Sequence, residues 1–127
     1  MKRDVPLVVI ASDDAEMRKQ LYAPLRRQEY FVTTCAAGAE ALEVVRRGKP
    51  DVVISDAGPS HEGGLDFVVA IKAASRDSRV VMLSATADWP LHTGALDRGA
   101  DDLLPRPPTD WELRRAVQRI LIEKVAQ

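Results

Sequence analysis

The sequence predicts an α/β fold in three layers, a five-stranded parallel sheet with five helices packed on its two faces. Three observations carry that prediction. Short, continuous apolar runs recur at residues 7–11, 52–54 and 80–83, as strands buried on both faces require. Stretches with helical apolar spacing fill the intervals between them. Strand and helix then alternate five times, the pattern of a parallel sheet built through right-handed crossovers.

The first strand is 7–11, Leu-Val-Val-Ile-Ala, and Ser12, Asp13 and Asp14 follow it. Met17, Leu21 and Leu25 then fall on one helical face. Asp14 is placed as the N-cap of this helix, and Pro24 is expected to kink it or weaken one turn. Residues 30–34, aromatic and β-branched, read as the second strand. A helix over 38–47 presents Leu42 and Val45, and Gly48-Lys49-Pro50 is its stop signal.

The third strand, 52–56, ends on a carboxylate, Asp56, just before Ala57-Gly58-Pro59. Residues 58–64 read as a loop, and a helix from Leu65 to about Ala74 carries Leu65, Val68, Val69 and Ile71. The fourth strand, 79–84, ends on the hydroxyl of Ser84. A short helix over 89–96, started by Pro90, leads to a two-residue strand at Leu103-Leu104. Thr109-Asp110-Trp111-Glu112 is a capping box, opening a last helix with a stripe of Leu113, Val117, Ile120 and Leu121. The common strand order at this size is the flavodoxin-like 2-1-3-4-5, which makes the first and third strands neighbours.

The 127 residues fit one domain spanning 1–127, with a core that needs no disulfide or metal. Eighteen basic against 19 acidic residues leave no basic excess for a nucleic-acid or anionic-membrane surface. Cys35 is the one cysteine, so an internal disulfide is excluded and a reducing cytoplasm is expected. No apolar run approaches the ~20 residues of a membrane span, and no signal-peptide pattern opens the chain.

In the expected strand order, Asp13 and Asp14 lie beside Asp56, and Ser84 and Arg106 border the same crevice. Converging carboxylates repel, and a divalent cation relieves the conflict. Mg2+ suits such a site, because it takes oxygen ligands and is held by one or two carboxylates plus phosphate oxygens. With a cation at Arg106 and a donor at Ser84, the pocket is suited to receive a phosphoryl group on Asp56. A flavin or nucleotide carrier would need a Ser/Thr/Gly-rich loop after the first strand, where this chain has acids.

Ser12-Asp13-Asp14, Asp56, Gly64-Leu65, Ser84-Ala85, Gly99-Ala100-Asp101-Asp102 and Arg106-Pro107 occur in the order and spacing of response-regulator receivers. The chain therefore resembles the receiver (CheY-like) family over essentially its whole length. The resemblance implies that a histidine kinase or phosphotransfer protein phosphorylates Asp56. It also implies that Asp13, Asp56 and the backbone carbonyl of Gly58 bind Mg2+, that Ser84 bonds the phosphoryl oxygen, and that Arg106 forms its ion pair. A cis bond before Pro107 is expected as well. Output would pass to a downstream effector protein or fused effector domain, with homodimerisation through the fourth helix, fifth strand and fifth helix as an option.

Departures from the family pattern stand out. Ser12 replaces the usual first acid, Arg106 replaces the lysine, and Leu103 replaces the switch aromatic. The loop proline expected at Ser60 is absent, and Pro108 replaces an aromatic. Arginine for lysine is not conservative at a phosphate site. These departures define an alternative, a phosphorylation-independent pseudo-receiver acting as a protein-interaction module. His61 reads as an exposed loop histidine, and Trp89 and Trp111 as packing or interface residues. Arg114, Arg115 and Arg119 read as the solvated face of the last helix.

Overall fold

The computed structural model describes residues 5–56, 61–85 and 89–125, with the side chains of 61–63 and 89–91 outside that description. Among these residues, strands and helices alternate as β1 (Leu7–Ser12), α1 (Ala15–Arg26), β2 (Phe31–Cys35), α2 (Ala39–Gly48) and β3 (Val52–Asp56). They continue as α3 (His61–Ala74), β4 (Arg79–Ser84), α4 (Trp89–Asp97), β5 (Asp102–Pro105) and α5 (Asp110–Val125). All five strands are parallel in the order β2-β1-β3-β4-β5. The expected architecture and strand order are both present.

Side chains alternate across the sheet and build two cores. Val8, Ile10, Val52, Ile54, Val81 and Leu83 face α1 and α5, where Met17, Leu21, Leu25, Leu113, Val117 and Ile120 meet them. Val9, Ala11, Val53, Val80 and Met82 face the other way, against Ala41, Val45, Phe67, Val68, Ile71 and Ala95. A fully buried Leu or Ile is worth about 1.5–3 kcal/mol. Both faces therefore contribute to holding β3 at the centre, with every one of its residues buried.

The local signals act as their chemistry requires. Asp14 Oδ1 accepts the backbone N–H groups of Glu16 and Met17 at 3.0 and 3.2 Å, capping α1. The capping box is reciprocal: Glu112 N–H donates to Thr109 Oγ1, and Thr109 N–H to Glu112 Oε1. Pro24 is buried inside α1, which continues to Arg26, so only the last turn forgoes a bond.

Several sequence expectations need correction. The second strand is shifted by one residue, to Phe31–Cys35. α3 begins at His61, so Gly63 and Gly64 are helical rather than loop, and His61 opens a helix. Val69 is 48% exposed, off the buried stripe. The left-handed residue ending α2 is Lys49 (φ 44°), while Gly48 is its last helical residue. β5 is longer than two residues, because backbone pairing with β4 extends it past its apolar pair to Asp102 and Pro105.

Candidate functional site

Strand order reverses at β1, so the carboxyl ends of β1 and β3 flank a crevice. Pairing places Ser12 directly opposite Asp56. Ser12 is fully buried and Asp56 2% exposed, so the two meet away from bulk water. The Ser12 hydroxyl donates to Asp56 Oδ2 at 2.7 Å and accepts the Asp14 backbone N–H at 3.1 Å.

Arg106 closes the other side. Its Nε donates to Asp56 Oδ1 at 2.7 Å, and its Nη2 donates to Asp56 Oδ2 at 3.3 Å and Asp14 Oδ2 at 3.2 Å. One planar guanidinium thus bridges two carboxylates, with Nη2 shared between them and Nε paired to Asp56. Bonding to Asp56, and secondarily to Asp14, raises the Arg106 pKa above its ordinary value and keeps it cationic. The Asp14 carboxyl is held below its usual range, chiefly by the Met17 N–H and next by the Arg106 side-chain bond.

β5 supplies the placement of Arg106. Its backbone N–H donates to Ser84 O at 2.9 Å, continuing the β4–β5 pairing that sets Ser84 against Pro105. The Arg106–Pro107 peptide is cis, as expected. Ser84 is buried at the end of β4, on the edge of the crevice.

Of the residues singled out in the sequence, Asp56 and Arg106 are in direct contact, and Ser84 joins them through the Arg106 backbone. Asp13 is exposed, and its Oδ1 accepts the Ala37 N–H at 3.0 Å, at the start of the β2–α2 connection. Gly58 lies outside the described residues. Among the described residues, no group of three or more His, Cys, Asp or Glu side chains is placed to hold a metal ion.

One partner is not anticipated by the sequence. Ser12 was noted only as a missing acid, yet its hydroxyl bonds the central carboxylate. Asp14, expected both as a helix cap and beside Asp56, caps α1 and also receives Arg106. The available signal was arginine itself, whose five donors can serve more than one carboxylate.

Leu103 is half-buried against the core on the α2–α4 side of the sheet. Trp111 is 59% exposed, with the Arg115 guanidinium 4.9 Å from its ring centroid. The side chains of His61 and Trp89 lie outside the described residues. No helix among the described residues is long and apolar enough to cross a membrane.

A parallel sheet of this order, with a buried carboxylate at the switch point held by a strand-end cation, defines a receiver-type domain. The chain belongs to the response regulator receiver domain family: residues 8–118 match the model of that family, a component of two-component systems. It is 32% identical over 116 residues to the transcriptional regulatory protein PrrA of Mycobacterium tuberculosis, covering 91% of this chain and 50% of the relative. The chain spans about half the length of the curated relatives it matches. Among solved structures, chemotaxis response regulator CheY4 of Vibrio cholerae superposes with a TM-score of 0.81 at 25% identity, covering 91% of this chain and 98% of that one. A response regulator of Burkholderia pseudomallei, solved with a phosphorylated aspartic acid, calcium ion and citrate, shares the fold at 22% identity (TM-score 0.79, covering 95% of this chain and 71% of that one).

Proposed function

We propose that this chain is a phosphoacceptor receiver in which Asp56 takes a phosphoryl group from the phosphohistidine of a partner kinase or phosphotransfer protein. The P–N bond of the donor breaks as a P–O bond to Asp56 forms, and the imidazole leaves. The observation that carries this reading is the Asp56 carboxylate, buried at the switch point and bonded at both oxygens by donors rather than by core contacts. A bland turn-forming aspartate needs no such cation.

The donor chemistry fits magnesium. Every candidate ligand is a hard oxygen, and Mg2+ is held by one or two carboxylates with water and phosphate oxygens, so a larger acidic cluster is unnecessary. Asp13 and Asp56, with the Gly58 carbonyl, would hold it, and the ion would offset charge on the incoming phosphoryl group. Ser84 would donate to a phosphoryl oxygen, and Arg106 would pair with the group once it leaves the Asp56 oxygens. The output would be a changed protein contact, with an effector as partner, from the cytoplasm.

A specific observation favours a second reading. Asp56 already has Ser12 and Arg106 on its oxygens, so its own charge is compensated in the resting site, as a phosphorylation-independent interaction module would need. Incubation with Mg2+ and acetyl phosphate separates the two. A mass increase of one phosphoryl group, abolished by Asp56→Asn, is expected. A folded protein that forms no adduct under any condition overturns the phosphoacceptor reading in favour of the module.

A further inference from the structure

We propose that Asp14 is a positioning residue for Arg106, a second carboxylate that retains the guanidinium at the mouth of the crevice when Asp56 is vacated. The proposal rests on the phosphoacceptor reading. It starts from a division of labour within one carboxylate. Oδ1 of Asp14 is anchored by the backbone N–H groups of Glu16 and Met17, at the N-terminus of α1. Oδ2 is directed at Arg106 Nη2, 3.2 Å away. The helix cap thereby fixes where the second oxygen can be, so the acceptor for Arg106 is preorganised rather than a freely rotating surface acid.

The consequence concerns competition for Asp56. Arg106 and Ser12 together take both of its oxygens. A metal ion or phosphoryl group that engages Asp56 therefore competes with the guanidinium for the lone pairs of the carboxylate. Nη2 is shared between the two carboxylates, 3.3 Å from Asp56 Oδ2 and 3.2 Å from Asp14 Oδ2, so Asp14 competes for that donor and takes it whole when Asp56 lets go; displacement costs less and the cation stays poised beside the site. Without Asp14, Arg106 has Asp56 alone and yields less readily. The side chain of Asp14 is 46% exposed and that of Arg106 25%, so the linkage is worth the modest amount typical of a half-exposed pair.

The test is a magnesium titration of the full chain by calorimetry, in a double-mutant cycle. Asp14→Asn is the informative change, because asparagine caps a helix as well as aspartate does but presents no carboxylate to Arg106. In the otherwise wild-type chain this substitution is expected to weaken Mg2+ binding by roughly two- to five-fold. In an Arg106→Gln background, where nothing has to be displaced, the loss is expected to shrink towards none. Arg106→Met serves as a second background if the glutamine variant does not fold, since methionine also leaves no cation to displace. The guanidinium N–H signals of Arg106 by NMR supply a spectroscopic readout. At saturating Mg2+ they should stay protected from water exchange in the wild-type chain and lose protection in Asp14→Asn.

Equal losses in the two backgrounds would mean that Asp14 acts by charge alone, and would overturn the proposal while leaving Asp56 as phosphoacceptor. Unchanged affinity in the wild-type background would do the same. A wild-type chain that binds no Mg2+ and takes no phosphoryl adduct overturns the phosphoacceptor reading itself, and this proposal with it.

Discussion

Ser12 and Asp56 face each other across the β1–β3 ladder, with the serine hydroxyl donating to the carboxylate at 2.7 Å in a fully buried setting. In the receiver pattern an acid stands at the serine position, and it would repel Asp56 unless a cation intervened. Serine removes that repulsion and adds a donor.

The first prediction follows from that bond. Ser12→Ala strips a donor from a buried carboxylate and leaves the Asp14 N–H without its Ser12 acceptor. Hydrogen bonds to charged groups are worth about 1.5–3 kcal/mol, and urea unfolding at neutral pH should register a loss of that size. A loss under about 0.5 kcal/mol would show the bond to be incidental.

Arg106 and Asp56 should be strongly coupled. Removing one partner of a largely buried pair costs about 3–5 kcal/mol, because the other charge is left uncompensated. Arg106→Ala should therefore be severe in the wild-type chain and mild in Asp56→Asn, where no buried charge remains. The coupling energy from denaturant unfolding of the four proteins checks this, and additive effects would refute it.

Ser55, next to Asp56 on β3, is fully buried, and its hydroxyl has no hydrogen-bond partner among the described residues. Such a group pays a desolvation cost with no return bond. Ser55→Ala is expected to raise stability by about 1 kcal/mol, read as an increase in the urea midpoint with an unchanged slope. Destabilisation would mean that the hydroxyl is satisfied in solution.

Cys35 supplies a pH dependence. Burial, and secondarily the Glu40 charge, push its thiol up to about 11 from a reference of 9.0. A pKa raised by folding leaves stability unaffected below the unfolded value and erodes it as pH climbs from 9.0 towards about 11, where the unfolded chain sheds its proton first. Wild-type stability should fall through that window more steeply than that of Cys35→Ala. Native Cys35 should also resist alkylation at pH 8, while the urea-unfolded chain reacts readily. Rapid native labelling would contradict the burial.

The fold was legible because its signals are local and repeated. Buried parallel strands read as unbroken apolar runs, and Met17, Leu21 and Leu25 declare a helix face through spacing alone. Asp56 was legible as a candidate because a strand end in a sheet of this order has one address. The errors fell where local composition and tertiary pairing disagree. Gly63 and Gly64 signalled a loop but lie in α3. β5 looked two residues long because its outer residues, Asp102 and Pro105, are held by pairing with β4 rather than by apolar character.

By itself, then, the sequence determined the alternating architecture, the acid at the end of β3 and the family to which the chain belongs. Only the tertiary structure decided how that acid is held. Whether Ser12 reaches Asp56 depends on the register of two strands 44 residues apart, and whether Arg106 serves Asp56 and Asp14 together depends on distances spanning 50 and 92 residues. Hydrogen bonds are decided over tenths of an ångström. Residue type specifies which groups can donate and accept, and only the packed sheet, with α1 capped by Asp14 and β5 carrying Arg106, brings them within that reach.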